Sequence, residues 1–270
     1  MAAASDKLET HDVLYEVADH VATLTLNRPD VQNTISGPML DALTRRLLDA
    51  NADPDVRAIV ITGSGRFFCA GLDLRGGGIA TGLSDKRSTP TNLDLRNTPP
   101  TVLHSLDTPT ICALNGSAAG YGMDLALGCD IRIMADAAKL AAAFTARGVV
   151  PESGGTWILP RLLGWSKAAE IIFTGRTLPA AECERLGLVS KVVPADETLA
   201  TAQALGREIA ANAPLAVQAS KRMMRMGMNE TFDDHVHHVF LQLLPLFQTE
   251  DFREGMASFM EKRKAEFEGR

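Results

Sequence analysis

Two carboxylates set beside glycine-rich turns are the residues of this chain best suited to moving a proton. The first is Asp124. An apolar run, Thr110-Ile-Cys-Ala-Leu114, ends in the turn signal Asn115-Gly116, small residues and glycines follow, and a second apolar run covers Met123 to Leu127. A strand that feeds a glycine-rich turn into a helix start gathers backbone N–H groups and a partial positive charge at one point. Such a point suits an anion or a developing oxyanion. Asp124 falls in the first helical turn, within reach of whatever binds there; its structural alternative is a dipole partner of the helix. The second carboxylate is Glu152, between Pro151 and Ser153-Gly-Gly155. It reads either as a helix N-terminal charge or as a loop-borne acid–base residue, and the loop setting favours chemistry. Together the two would form a general acid and base pair.

A further small-residue turn, Phe68-Cys-Ala-Gly-Leu-Asp73, follows the apolar run Val56–Thr62. Ala70-Gly71 lets a ligand approach the backbone closely, although such turns also serve as plain connections. Paired with Gly120-Tyr-Gly122, it supplies the second donor of an oxyanion hole, where each donor is typically worth about 3 kcal/mol in the transition state.

Other chemistries find little support. The six histidines include His235, His237 and His238 on one stretch, without the i, i+4 spacing of a metal-binding helix, so a surface or interface role fits better. No metal site is expected. Ser117 and Ser153 lack the G-x-S-x-G context of a hydrolase elbow, and no G-x-G-x-x-G follows a first strand. The four cysteines, Cys69, Cys112, Cys129 and Cys183, match no zinc or disulfide spacing and read as reduced thiols of a cytoplasmic protein. With 27 basic against 33 acidic residues the net charge is −6, which gives nucleic acid nothing to hold. The charged N-terminus does not read as a secretory signal. No apolar run approaches the ~20 residues of a membrane span.

The elements that must position these residues follow from periodicity. Val13–Asn27 reads as two short strands around Ala18-Asp-His20. Ser36-Gly-Pro38 caps a helix to about Ala52, with Met39, Leu40, Leu43, Leu47 and Leu48 at helical spacing. Val56–Thr62 is apolar enough for a strand buried on both faces. From Arg75 to Pro100 the glycines, prolines and scattered charges suggest a mobile connection or lid. Strands are expected at Thr110–Leu114, Ile131–Ala135, Leu140–Phe144 and Val189–Val193. Helices are expected at Trp157–Leu163, Ser166–Phe173, Ala180–Leu186, Asp196–Ala211, Pro214–Met226, Asn229–Phe247 and Glu250 to the end. Repeated strand–turn–helix units before a helical tail indicate an α/β layer architecture, and 46% hydrophobic residues over 270 positions suffice for a sizeable core.

Five segments in order resemble the crotonase (enoyl-CoA hydratase/isomerase) superfamily: Leu26-Asn-Arg-Pro29, Phe68-Cys-Ala-Gly-Leu-Asp73, Asn115-Gly116 through Asp124 to Asp130, Gly148-Val-Val-Pro-Glu-Ser-Gly-Gly155, and Ser258-Phe-Met-Glu-Lys-Arg-Lys264. The resemblance implies an α/β spiral of ββα units, a catalytic region over 1–205 and a helical oligomerisation region over 206–270. It also implies a homotrimer or a dimer of trimers, and acyl-CoA thioester substrates with no separate cofactor, coenzyme A being part of the substrate. By position it implies an oxyanion hole from the N–H groups of Ala70 and Tyr121, catalytic Asp124 and Glu152, and CoA contacts at Arg28, Asp73, Phe259 and Lys262, the last two reaching a neighbouring subunit. Tyr121 stands where many members have glycine, but that role belongs to the backbone. The departures bear on the reaction. Typical hydratases carry two glutamates; here Asp124 stands at the first position and Phe144, which transfers no proton, at the second. Glu152 instead occupies the position of the base in certain double-bond isomerases. Two acids favour hydration of an enoyl-CoA, whereas Phe144 favours isomerisation of an enoyl- or dienoyl-CoA with Glu152 shuttling the proton. A non-catalytic acyl-CoA-binding member is the third reading, opposed by the two retained carboxylates.

Overall fold

The computed structural model describes residues 11–73 and 98–270. The expected connection over 75–100 therefore lies outside the described residues except for its last positions. Strands β1 (Val13–Ala18) and β2 (Val21–Leu26) form the expected hairpin, with Asp19 and His20 at positive φ in the turn. Helix α1 (Gly37–Ala52) starts where the sequence places it: the Ser36 hydroxyl accepts from the Met39 N–H at 3.3 Å, and Pro38 occupies the first turn.

Three repeats then wind the chain between two sheets. Each sends a first strand into a six-stranded sheet and a second into a four-stranded one. These pairs are β3 (Ala58–Gly63) with β4 (Phe67–Cys69), β5 (Thr110–Leu114) with β6 (Ser117–Ala119), and β7 (Ile131–Ala135) with β8 (Lys139–Ala141). Helix α2 (Pro99–Ser105) precedes β5, α3 (Tyr121–Gly128) follows β6, and α4 (Gly155–Leu163) follows β8. After α5 (Trp165–Thr174) come β9 (Thr177–Pro179), α6 (Ala180–Arg185) and β10 (Lys191–Val193). The sheets are ordered β1-β2-β3-β5-β7-β10 and β4-β6-β8-β9. Neighbouring repeats pair in parallel, with Ile111 opposite Ile131 and Ala118 opposite Leu140. This is the ββα spiral that the resemblance implies.

Both faces of the large sheet are covered, which explains its unbroken apolar runs. Ile59, Ile61, Cys112 and Leu114 face the main core with Phe68 and Leu125, while Ala58, Val60, Ile111 and Ala113 face helix α7 (Thr198–Ala210). Gly206 lets α7 sit down on β2: a Cβ there would stand 3.1 Å from both methyls of Val21. The boundary at 205/206 falls inside this helix.

The helical tail continues as α8 (Pro214–Gly227), α9 (Phe232–Leu246) and α10 (Glu250–Glu261). Ion pairs fasten α8 to the body: Arg222 to Asp107 at 2.5 Å, Arg225 to Asp107 at 3.1 Å and Lys221 to Asp130 at 2.7 Å. The last helix is shorter than expected. Lys262 takes a left-handed conformation that ends α10, and residues 263–270 turn back along it. There the Asp251 carboxylate accepts the N–H groups of Glu268 at 2.7 Å and Gly269 at 3.0 Å, and Arg57 donates to the Phe267 carbonyl at 2.8 Å. Those tertiary bonds outweigh a helix-compatible local sequence. The Leu140–Phe144 and Val189–Val193 strands are likewise trimmed to 139–141 and 191–193, and α2, β6 and β9 are too short to show a period.

Replacing Gly206 by Leu is expected to overpack the α7–β2 contact. The stability loss, read from urea unfolding midpoints, should be about 1–3 kcal/mol.

Candidate active site

The end of β6 and the start of α3 are built around Gly120, whose φ of 52° and ψ of −123° no larger residue adopts comfortably. No side chain caps α3; Met123 and Asp124 N–H turn back onto the Gly120 carbonyl at 2.9 and 3.1 Å, while the Tyr121 N–H has no partner among the described residues. This leaves an open donor at a helix N-terminus. Gly122 makes the approach of α3 to β4 possible, since a Cβ there would overlap the Cys69 carbonyl oxygen.

The facing turn does not use the donor that the resemblance implies. The Ala70 N–H is donated to the Gln32 carbonyl at 3.0 Å, which takes Ala70 out of the oxyanion hole. Two residues on, Leu72 bridges to Ile35 in parallel fashion: the Ile35 N–H donates to the Gly71 carbonyl and the Asp73 N–H to the Ile35 carbonyl, each at 2.9 Å. Those bonds point toward Ile35 from either side of Leu72, so the Leu72 N–H points the other way and has no partner among the described residues. Gly71, at φ 110°, packs against β6 and α3; a Cβ on it would lie 3.1 Å from the Ala119 carbonyl oxygen and 3.9 Å from the Tyr121 nitrogen. The two open donors thus belong to adjoining turns. Sequence reasoning had no means of choosing between Ala70 and Leu72, because the choice depends on which N–H the Gln32 carbonyl takes.

Asp124 is 1% exposed and is gripped through one oxygen. Its Oδ2 accepts the N–H groups of Ser153 at 3.2 Å and Gly155 at 3.3 Å, so the loop that carries Glu152 is tied to α3. Gly155 is required by this approach, because a Cβ would overlap Oδ1 of Asp124. The Gly154-Gly155 pair was the available signal for it. Burial, then the negative charge of Glu152, pushes the Asp124 carboxyl up to about 7, against the two N–H donors that pull it down. Glu152 is exposed, yet partial desolvation raises its carboxyl as well. The site therefore holds two mutually repelling acids of unequal burial, the arrangement that separates an acid from a base. Phe144 is buried at 3% exposure where it opens the short 3-10 turn Thr145–Arg147.

The other candidates fall into two places. Arg28 and Asp73 meet, with Nη2 to Oδ2 at 3.0 Å, and Arg28 Nη1 also donates to the Thr34 carbonyl at 2.6 Å. Phe259, 78% exposed, and Lys262 lie at the end of α10 and bond to none of these groups. His235 and His238 each meet the Glu230 carboxylate at 3.0 Å. The cysteines are free and buried, and among the described residues no cluster of His, Cys, Asp and Glu is placed to hold a metal. A mostly apolar cleft of about 910 Å³ opens beyond the far end of α3, between Leu127, Trp157, Val217 and Met224; neither carboxyl nor Tyr121 lines it.

Residues 16–270 match the model of a family described as enoyl-CoA hydratase/isomerase. A Bacillus subtilis protein, "Putative enoyl-CoA hydratase/isomerase YngF", is 36% identical over 255 residues, 93% of this chain and 95% of that one. The "1,2-epoxyphenylacetyl-CoA isomerase" of Escherichia coli is 37% identical over 268 residues, 96% of this chain and 98% of that one. Among solved structures, an enoyl-CoA hydratase from Bacillus anthracis superposes with a TM-score of 0.88 at 32% identity, over 96% of this chain and all of that one.

Two outcomes follow from the carboxyl grip. Gly155→Ala, which drives a methyl into Asp124, should distort both carboxyl positions and cost about 10²-fold or more in turnover, measured on whichever acyl-CoA the protein converts. Asp124 has a folded-state value of about 7 against an ordinary 3.8, so the stability from its buried neutral form is present below about pH 4 and is lost as the pH rises toward 7. Asp124→Asn lacks this loss. Relative to the parent it should gain a few kcal/mol between pH 4 and pH 8 in urea midpoints, with about 4 as the ceiling.

Proposed function

The chain belongs to the enoyl-CoA hydratase/isomerase family, and on that premise we propose that it hydrates the double bond of a 2-enoyl-CoA. The supporting observation is the Asp124–Glu152 pair, Asp124 raised by burial and by the charge of Glu152 and Glu152 by partial desolvation, on turns whose Tyr121 and Leu72 N–H groups have no partner among the described residues. In this reading the thioester oxygen sits between those two donors. Glu152, the more accessible carboxylate, takes a proton from water as the water oxygen bonds to C3. The C2–C3 π electrons move to form the enolate, whose oxygen the two N–H groups stabilise. Asp124, protonated on the Oδ1 that no backbone donor holds, delivers its proton to C2. The proton taken by Glu152 then restores Asp124 through solvent, and no bond of coenzyme A is broken. Arg28 and Asp73 serve the CoA moiety, and no separate cofactor enters the cycle.

The second reading is a double-bond shift in a 3-enoyl- or dienoyl-CoA, with Glu152 removing a proton at C2 and returning one further along the chain. Phe144 favours it, since the side chain at that position moves no proton. The isomerase name of the Escherichia coli relative is consistent with it.

The protein acts as a homotrimer or dimer of trimers in the cytoplasm, with the helices after residue 205 as the contact region. Supporting this, α9 has no buried residue and exposes Phe232 and Phe240, while α10 exposes Phe259 and Met260. Phe259 and Lys262 then serve the CoA bound to a neighbour. Among the described residues no helix is long and apolar enough to cross a membrane.

Product masses decide between the reactions. Hydration predicts that crotonyl-CoA gains one water, with the rate falling as the pH rises through about 7 and Asp124 loses its proton, and that Glu152→Gln and Asp124→Asn each lose about 10²–10⁴-fold. A mass-neutral conversion of 3-enoyl-CoA, abolished only by Glu152→Gln, would replace hydration with isomerisation. Light scattering of Phe240→Glu should show a smaller assembly than the parent.

A further inference from the structure

Two asparagines from different segments hold one short connection, residues 63–67 between β3 and β4. Asn33 is fully buried, and its amide is spent on bonds to backbone. Nδ2 donates to the carbonyls of Ser64 at 2.9 Å and Phe67 at 2.7 Å, while Oδ1 accepts the Arg28 N–H at 2.8 Å. Asn115 begins the connection from β5 to β6. Its Oδ1 accepts the Gly63 N–H at 3.0 Å and the Thr62 hydroxyl at 3.3 Å, and its Nδ2 donates to the Gly65 carbonyl at 3.1 Å. Each amide thus uses both its donor and its acceptor end. The packing leaves no slack: a Cβ on Gly63 would stand 2.9 Å from Nδ2 of Asn33, and one on Gly116 would overlap the Arg66 carbonyl oxygen.

Asn33 reaches the site through the backbone. Gln32 and Asn33 form a left-handed pair, at φ of 58° and 53°. Residues with a Cβ rarely adopt that conformation, and it persists only where surrounding contacts fix it. The three side-chain bonds of Asn33 supply those contacts. The bend they hold is a bracket behind the 70–73 turn. There the Gln32 carbonyl takes the Ala70 N–H at 3.0 Å, and Ile35 accepts from Asp73 and donates to Gly71, each at 2.9 Å. The Leu72 N–H is left facing away from the bracket. Asn115 reaches the other donor by a similar short route. Strand β6 pairs with β4, Ser117 opposite Phe67 and Ala118 opposite Cys69, and Gly120 then turns the chain into Tyr121. A single connection therefore carries both donors, one through each asparagine.

From these contacts we infer that Asn33 and Asn115 are positioning residues of the oxyanion hole: clamped to one connection, they set the separation of the Leu72 and Tyr121 N–H groups. The inference rests on the oxyanion hole of the proposed function and not on the fate of the double bond, so it holds for hydration and isomerisation alike. Such a hole works by donors placed beforehand where the charged oxygen will sit, and a misplacement of about 1 Å costs about 10²-fold in rate. Loss of either amide lets its turn relax, which weakens the hold on the enolate more than the hold on the resting thioester. Its signature is a fall in kcat with KM kept.

The test reads the substrate carbonyl directly. Butanoyl-CoA, isotopically labelled at the thioester carbonyl, is a saturated ester that neither reaction converts, and infrared difference spectra report its C=O stretch when bound. Two N–H donors in a dry site should hold that stretch below its value in buffer. Asn33→Gly, which tolerates the left-handed backbone, and Asn115→Ala should each move it back toward the buffer value. On whichever enoyl-CoA the parent converts, each should also lower kcat about 10–10²-fold, with KM changed less than about threefold. Gly206→Leu, which disturbs the α7–β2 contact, is the control for lost stability and should keep the parent's stretch and kcat. A parent stretch that is lowered on binding and unchanged in both asparagine variants overturns the inference and leaves the hole standing. A change in Gly206→Leu as large as theirs also overturns it, by making the amides merely structural. A parent stretch that is not lowered overturns the hole itself, and the inference with it. Should Asn33→Gly fail to fold, Asn115→Ala decides by the same two readings.

Discussion

The grip on Oδ2 of Asp124 is the interaction on which the site depends. Two backbone donors, from Ser153 and Gly155, reach from the start of α4 to a carboxylate in the first turn of α3. They join two successive turns of the spiral at the level where the second-sheet strands end. They also bring Glu152, one residue before Ser153, into the field of Asp124. Without a Cβ-free residue at 155 the approach could not occur, and the two acids would lose their mutual effect.

The same device recurs one turn earlier in the spiral. Gly122 accommodates the Cys69 carbonyl, and Gly116 accommodates the Arg66 carbonyl, so the connection after β5 lies directly on β4 and its approaches. Close stacking of these backbones is what sets the open N–H of Leu72 beside that of Tyr121. Glycine here is a steric requirement of contacts between repeats, with the positive φ of Gly71 and Gly120 as a separate demand within each turn.

Electrostatics then divides the labour. Asp124 is almost wholly buried and its carboxyl is pushed up to about 7, whereas Glu152, exposed on the facing loop, is raised by partial desolvation. Burial also keeps the Tyr121 hydroxyl protonated.

By itself the sequence determined much of this protein. Alternation in Val13–Leu26, the Ser36-Gly-Pro38 cap and the continuous apolar runs at 56–62, 110–114 and 131–135 specify their elements, the first of these strands being observed at 58–63, because each signal is local and the elements are long enough to display a period. Glycine spacing singled out the turns at 120–122 and 154–155, and the carboxylates beside them. What only the tertiary structure decided is where contacts cross between distant segments. The Gln32 carbonyl, not any residue of the 68–73 turn, takes the Ala70 N–H and leaves that of Leu72 open. Asp251 draws the last residues back along α10 where the local sequence would continue a helix. Strands of three residues, such as β6 and β9, exist because a neighbouring strand pairs with them. A hydrogen bond's direction and a carboxyl's desolvation belong to the packed chain, since both depend on groups that are brought together only when the repeats stack.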